Sequence, residues 1–225
     1  MKQSLTLFLV LILGHFLPNA YAVDNGDIQT RIERAVGALN DLTSVKETSI
    51  PGDLMKAAKC IANLRIVKIG FGFGGKGGSG VASCRNANGI WSAPIFLTLG
   101  GLSYGFQIGV ERIDLTLVFT NRDAEQSLVS ENFTLGASGG LTAGPEGRDA
   151  SAGTNYKLED TIYSYSRSKG LYAGISLEGA MLVNDNDYNY FVYAGKSARE
   201  ILNMDAATIP NSVSAYVNAL NTLTK

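Results

Sequence analysis

A glycine-rich stretch in the first third of the chain holds the residues whose spacing most resembles a chemical site. Residues 70–80 read GFGFGGKGGSG. The segment 70–75 has the G-x-G-x-x-G spacing of a dinucleotide-binding loop, and the segment 70–76 has all of a phosphate-binding P-loop except its last residue. Taken alone, this spacing raises the hypothesis of a nucleotide site.

The residues that follow the glycines argue against a nucleotide. Both motifs work because a helix begins directly after the loop and points its amino end at the phosphates. Here the chain continues Val-Ala-Ser-Cys after Gly80, which is typical of a strand, and Gly77 stands where a P-loop needs Ser or Thr. We therefore expect no nucleotide. The stretch instead predicts the tip of a β-hairpin between strands at 61–73 and 79–85.

Other catalytic chemistry is restricted by the residue types present. The one histidine, His15, lies in an amino-terminal leader, so the chain after the leader has no imidazole base and no histidine ligand for zinc. The carboxylate pairs Glu111/Asp114 and Glu159/Asp160 could act as acid and base, but nothing in their spacing fixes them across a cleft. We expect no enzyme, no catalytic residue and no cofactor.

Residues 184–189, NDNDYN, begin like a calcium-binding loop. With Asp185 at position one, Tyr190 stands at position six, where glycine is needed, and Lys196 stands at position twelve, where glutamate is needed. The segment therefore predicts a polar turn between strands and no metal site.

Residues 1–22 have the layout of a secretory signal peptide. Lys2 precedes an apolar run from Leu5 to Leu17, and Ala20-Tyr21-Ala22 supplies small residues for cleavage. We expect an exported protein that is periplasmic or secreted and at most peripheral to a membrane.

The charge balance bears on the partners. The chain has 19 Lys and Arg against 20 Asp and Glu. Because nucleic-acid binding depends on a basic surface, this near-neutral balance argues against a nucleic-acid partner.

Two cysteines, Cys60 and Cys84, remain after the leader. In an oxidising compartment an even number favours a disulfide, which would contribute about 3 kcal/mol by restricting the unfolded chain. Two buried thiols on neighbouring strands are the alternative, because the sequence does not give the Cα separation.

The elements that position these residues form an α+β pattern. Residues 27–43 have apolar positions at helical spacing, glycine-punctuated strands follow up to residue 183, and helices return at 197–202 and after Pro210. Because no βα unit repeats, we predict a strongly curved or barrel-like antiparallel sheet flanked by N- and C-terminal helices. The first helix mixes acids and bases on its polar face, so core packing is favoured over membrane docking.

Several short blocks between residues 50 and 202 occur in order and without large gaps. They are Ile50-Pro51, Ala57-Ala58-Lys59, Lys68-Ile69-Gly70-Phe71, Gly77-Gly78-Ser79-Gly80, Trp91-Ser92-Ala93-Pro94, Gln107-Ile108-Gly109, Gly144-Pro145-x-Gly147-Arg148, Tyr163-Ser164-Tyr165-Ser166 and Lys169-Gly170-Leu171. Together these blocks resemble the SYLF domain family, which occurs in yeast actin-patch proteins, in endocytic adaptors and in bacterial envelope proteins. The set is more specific than any single glycine motif. With the leader, the blocks suggest an exported, bacterial-type member.

The resemblance implies a lipid-binding module rather than an enzyme. Eukaryotic relatives bind phosphoinositides and other anionic phospholipids, and the yeast type binds actin filaments. We therefore expect an anionic phospholipid or membrane surface as the partner, with actin or another protein as the alternative. The expected organisation is a helical lead-in at 23–49 and a single SYLF-like domain at 50–225. Cys60 and Cys84 replace residues that are usually glycine and small apolar in the family, which favours the disulfide.

Basic positions of the family pattern are the candidate lipid contacts. Each Lys or Arg near an anionic membrane contributes about 1 kcal/mol, so several together would give affinity despite the neutral total charge. Each one taken alone is more typical of a solvated surface charge, and only clustering would make a site. The candidates are Lys68, Lys76, Arg85, Arg148, Arg167 and Lys169.

Overall fold

The computed structural model describes residues 23–44, 50–120, 123–130, 132–136, 140–144, 161–168, 171–172 and 177–224. At residues 42–44, 71–73, 103–108, 140, 161 and 171–172 only the backbone is described. The signal peptide expected at 1–22, the carboxylates Glu159 and Asp160, and the candidate cations Arg148 and Lys169 lie outside the described residues.

Helices flank a sheet at both ends of the described chain. The helix Ala198–Leu202 begins with the capping box that the S-x-x-E pattern predicts. The Ser197 hydroxyl accepts from the Glu200 N–H, and the Glu200 carboxylate accepts from the Ser197 N–H. None of the described helices is both long and apolar enough to cross a membrane. The helices are α1 (Asn25–Ser44), α2 (Gly52–Ala57), α3 (Ala124–Val129), α4 (Asn186–Tyr193), α5 (Ala198–Leu202) and α6 (Asn211–Leu223), with a 3₁₀ turn at Ala206–Thr208.

Seven strands of the described chain form one curled sheet. They are β1 (Cys60–Cys84), β2 (Ile95–Phe119), β3 (Phe133–Thr134), β4 (Gly140–Ala143), β5 (Thr161–Ser168), β6 (Leu171–Tyr172) and β7 (Met181–Asn184). β2 is central, because it pairs antiparallel with β1, with β7 through residues 97–100 and with β5 through residues 113–119. β4 lies parallel to β5. The predicted α+β class, with a strongly curved sheet and flanking helices, is confirmed.

β1 turns back on itself so that its two ends meet. A straight strand of 25 residues would be about 80 Å long. The Cα atoms of Cys60 and Cys84 are instead 4.0 Å apart, and their sulfur atoms form a disulfide. Beside the disulfide, the Arg85 N–H donates to the Lys59 carbonyl. The predicted disulfide is therefore present, and it joins the ends of the curled strand.

Two glycines allow the halves of β1 to touch backbone to backbone. A Cβ atom on Gly80 would overlap the carbonyl oxygen of Asn63 and stand 2.6 Å from Leu64 Cα, and one on Gly78 would overlap the carbonyl oxygen of Arg65. No side chain fits such a gap, so glycine is required for the close approach.

The prediction that residues 70–80 form a hairpin tip is wrong. These residues lie inside the continuous strand β1 and pair with β2 from Gly109 back to Leu97, with a register shift near Phe71 and Phe73. The real connection between the long strands is the turn at residues 86–89, where Gly89 has a φ of 77°. The glycines of the motif therefore serve the curvature and close packing of a strand rather than a turn.

The apolar face of α1 is buried in the core. Ile28, Ile32, Ala35 and Leu39 recur at helical spacing and are each at most 3% exposed. On the same helix, the Arg31 guanidinium lies 3.4 Å from the centre of the Tyr188 ring. The prediction that this helix packs on the core is confirmed.

Residues 184–189 do not form the polar turn between strands that the sequence predicts. β7 ends at Asn184 and is followed directly by helix α4. The Asp185 carboxylate accepts from Arg31 at 2.7 Å and from the Thr98 hydroxyl at 3.3 Å, so its oxygens have protein partners. Across the described ranges, no group of three or more His, Cys, Asp or Glu side chains is placed to hold a metal ion.

Candidate functional site

The middle of the β1–β2 pair is a two-stranded ribbon in the described part of the chain. Residues 67–76 of β1 pair with residues 101–112 of β2, and within the described chain these β2 residues pair with β1 alone. We call this segment the distal ribbon. Because β5 and β7 join β2 only on either side of it, neighbouring strands support its two ends but not its middle.

The distal ribbon exposes large apolar side chains. Leu102 is 71% exposed, Val110 61% and Ile69 59%, and these are the three highest values among the large hydrophobic residues of the described chain. Ile69 lies directly opposite Val110, and Leu102 lies opposite Gly75. Ile69 and Val110 share a face because they are opposite residues. Leu102 lies beyond the register shift near Phe71 and Phe73, but it is an even number of residues from Val110, so the alternation of side chains places it on the same face.

The distal ribbon is also basic. Its charged residues are Lys68, Lys76, Arg112 and Glu111, three cations against one anion. Arg112 is exposed and lies opposite Val67, on the face that carries Ile69 and Val110. The alternation of side chains places Lys68 and Lys76 on the other face. A surface that combines an exposed apolar face with a positive charge excess can bind an anionic amphiphile or an anionic, partly apolar protein surface.

Lys76 is a buried cation. Its side chain is 6% exposed and passes over Gly101, where the missing Cβ leaves room for the Lys76 Cε atom. Burial lowers the pKa of Lys76, and the charge of Lys68 lowers it further. The two lysines therefore lie close enough to repel each other, and they form the part of the predicted basic set that the structure brings together.

Replacing Lys76 with methionine should change how stability depends on pH. Because the folded-state pKa of Lys76 lies below its ordinary value of 10.5, the unfolded chain binds more protons between the two pKa values, so wild-type stability rises with pH in that interval. Methionine does not titrate. The free energy of unfolding of Lys76→Met minus that of wild type should therefore fall as the pH rises towards 10.5, which urea unfolding at a series of pH values measures. A difference that is constant with pH would contradict the buried, charged Lys76.

The other two described candidates lie apart from this pair. The Arg85 guanidinium donates to the carbonyl oxygens of Lys56 and Thr224, both at 3.1 Å, next to the disulfide. The Arg167 guanidinium pairs with the Asp41 carboxylate at 2.7 Å. Of the predicted cations, the structure thus brings Lys68 and Lys76 together and holds Arg85 and Arg167 in other contacts.

Sequence reasoning missed the residues that make the distal ribbon distinctive. Leu102, Val110 and Arg112 belong to no block or motif, and Ile69 was noted only as part of a family block and not as an exposed residue. Alternating apolar residues in a strand usually face a core. These ribbon residues are exposed because no third strand of the described chain pairs with residues 101–112. That absence depends on the register of β5 and β7 against β2, which the composition does not reveal. Asp114, one of the carboxylates considered as an acid or base, is an ion-pair partner, with both carboxylate oxygens accepting from Arg65 at 2.7 and 3.0 Å.

Comparison with known proteins identifies the family. A family model described as "Las17-binding protein actin regulator" and named Ysc84 matches residues 100–223, which include half of the distal ribbon and the sheet that supports it. The chain belongs to the Ysc84 family. This is the family, also known by its SYLF domain, that the sequence blocks predict.

Several relatives of this Ysc84 family member are longer eukaryotic proteins. An SH3 domain-containing protein of Schizosaccharomyces pombe is 37% identical over 162 residues, covering 70% of this chain and 38% of its own. LAS seventeen-binding protein 3 of Saccharomyces cerevisiae is 36% identical over 157 residues, covering 68% of this chain and 34% of its own. SH3 domain-containing YSC84-like protein 1 of Homo sapiens is 31% identical over 173 residues, covering 74% of this chain and 51% of its own. The chain thus spans a third to a half of the length of these relatives.

Proposed function

We propose that this protein is a non-enzymatic module that binds membranes containing anionic phospholipids, and that the distal ribbon is its contact surface. The observation that carries the proposal is the position of the three most exposed large apolar side chains, Ile69, Leu102 and Val110, on one face of a basic two-stranded ribbon. As the leader at residues 1–22 suggests export, we place this membrane outside the cytosol.

The apolar face supplies the larger part of the binding free energy in this proposal. Full burial of one such side chain is worth about 1.5 to 3 kcal/mol. Partial entry of Ile69, Leu102 and Val110 into the boundary between headgroups and acyl chains would then give about 3 kcal/mol together. A two-stranded ribbon suits this role because it is thin and can approach a bilayer without burying the rest of the molecule.

The charges select the lipid headgroup. Each cation near an anionic bilayer contributes about 1 kcal/mol. Lys76 is buried and Glu111 lies opposite Lys68, so the exposed Arg112 is the ribbon cation best placed for this contact. Arg112 lies on the apolar face itself. Lys68 lies on the opposite face and acts only through the longer-range field, which is screened beyond about 8 Å at physiological salt. Binding should therefore weaken in high salt and require anionic lipid.

Removing the three apolar side chains should abolish most of the membrane binding. We expect the variant Ile69→Ser/Leu102→Ser/Val110→Ser to bind vesicles of phosphatidylcholine and phosphatidylglycerol about 100-fold more weakly, because about 3 kcal/mol of apolar transfer is lost. Vesicle cosedimentation measures the difference.

A matched control uses exposed apolar residues elsewhere. Ile90, Tyr190 and Phe191 are 46%, 50% and 50% exposed and lie outside the distal ribbon. Their triple serine variant should bind vesicles as tightly as wild type. Equal binding by the ribbon variant and wild type would exclude the ribbon as the contact surface.

A protein partner is the second candidate function. It is supported by the family description, which names Las17 binding and actin regulation, and by the printed name of the yeast relative. The same exposed apolar face could pack on a protein. Cosedimentation with actin filaments in the absence of lipid tests this candidate. A protein partner would be favoured over the membrane if wild type binds filaments but not vesicles and the ribbon variant loses filament binding.

A further inference from the structure

A second basic feature lies at the disulfide-linked ends of β1. A cavity of about 340 Å³ opens there, between the end of α2, the disulfide and the turn at residues 86–89. The cationic side chains of Lys56, Lys59 and Arg85 line it, together with one carboxylate, Glu125. From Cys84 the strand runs eight residues, about 25 Å if straight, before it reaches the distal ribbon at Lys76. The cavity is therefore a separate surface.

Arg85 is held in a fixed position at this cavity. Its two terminal nitrogens donate to the Lys56 and Thr224 carbonyls at 3.1 Å, and the guanidinium lies 4.7 Å from the centre of the Trp91 ring. The Trp91 ring is itself fixed, because its N–H donates to the Thr224 hydroxyl at 3.0 Å. The Arg85 Nε atom is buried and has no hydrogen-bond partner. These contacts orient the cation without neutralising it.

The positive charge of the cavity is not balanced by ion pairs. None of Lys56, Lys59 and Arg85 pairs with a carboxylate of the described chain. Glu125 instead accepts a hydrogen bond from the Asn203 amide at 3.1 Å. Burial lowers the pKa of Arg85. An anion bound in the cavity would favour the charged guanidinium.

We propose that this cavity binds a small phosphorylated anion, with the phosphate contacting Lys56 and Lys59 in the field of the fixed Arg85. Lysine ammonium groups bind phosphate as point charges, and charge-assisted hydrogen bonds are the stronger kind. The volume lies at the lower end of the range of about 300 to 1,000 Å³ for small-molecule sites. The phosphate can belong to a soluble phosphomonoester or to the headgroup of a lipid such as phosphatidic acid. The site does not depend on the distal ribbon.

An NMR titration of the full, oxidised chain tests the site. Inorganic phosphate and glycerol 3-phosphate, added at constant ionic strength, should shift the backbone amide signals of Lys59 and of residues 85–89. The variant Lys56→Glu/Lys59→Glu should bind both anions at least about tenfold more weakly, because each lost charge-assisted contact is worth more than 1 kcal/mol. Both lysines are exposed, so the variant should fold, which its thermal unfolding checks.

Lys68→Glu is the matched control, because it reverses a lysine on the distal ribbon. It should leave the phosphate titration unchanged even if it weakens binding to phosphatidylglycerol vesicles. Vesicles containing phosphatidic acid distinguish the two sources of the phosphate. If the Lys56→Glu/Lys59→Glu variant selectively loses binding to these vesicles, the ligand is a lipid headgroup. If it loses phosphate binding but binds the vesicles as wild type does, the ligand is soluble. Absent shifts around the cavity, or equal phosphate affinity in the double variant, would overturn the site.

Discussion

Gly80→Ala should destabilise the protein by roughly 3 kcal/mol or more, the largest effect we expect from any single methyl group. The added Cβ would overlap the Asn63 carbonyl oxygen and stand 2.6 Å from Leu64 Cα. Both obstacles are backbone atoms of the same strand, so no side-chain rotation relieves the overlap. Asn63 is also held in place, because its amide donates to the Thr116 hydroxyl at 2.6 Å and its side-chain oxygen accepts from Tyr216 at 2.7 Å.

Gly77→Ala is the control for this effect. A Cβ at Gly77 would meet nothing closer than the Leu99 carbonyl oxygen at 3.8 Å, which is an ordinary contact. Its free energy of unfolding, measured by urea titration followed by circular dichroism, should stay within about 1 kcal/mol of wild type. Similar losses for the two alanine variants would mean that strand propensity, and not the close approach within β1, accounts for the glycine at position 80.

Removing the disulfide should cost about 3 kcal/mol. Cys60 and Cys84 are 24 residues apart in sequence, and a cross-link of that span restricts the unfolded chain by about this amount. The variant Cys60→Ala/Cys84→Ala should therefore unfold at lower urea, and reduced wild type should match it. Since the disulfide joins the ends of β1 and not the distal ribbon, the folded variant should retain vesicle binding. A double alanine variant within about 1 kcal/mol of wild type would show that the curl of β1 is maintained by packing alone.

Local patterns predicted the fold class and several of the helices, but they missed α4, which the sequence analysis interpreted as a polar turn. The apolar spacing in residues 27–43 indicated α1 and its buried face, and the Ser197/Glu200 pair indicated the start of α5. These features depend on neighbours within one or two turns, so the sequence is sufficient to infer them. The cysteine pair was also visible, although the sequence left its bridging open.

The curled ribbon could not be read from local patterns. Glycines are suited to a turn, a bulge or a close backbone contact. Only the approach of Gly80 to Asn63 in the folded chain shows that a close backbone contact, and not a turn, requires glycine here. The exposure of Leu102 and Val110 likewise depends on where β5 and β7 stop pairing with β2. The positions of basic residues in the sequence were a poor guide to a lipid site for the same reason. Arg167, for example, pairs with Asp41, which lies on a helix far away in sequence. Each of these facts is set by long-range register.

Hydrogen–deuterium exchange with and without vesicles tests the central claim most directly. In the presence of phosphatidylglycerol-containing vesicles, we expect slower amide exchange in peptides covering residues 67–76 and 101–112, and no change with phosphatidylcholine alone. Peptides from α1 should exchange equally in all conditions, because its apolar face is already buried. Protection confined to α1, or binding to anionic vesicles without protection of the distal ribbon, would contradict the account.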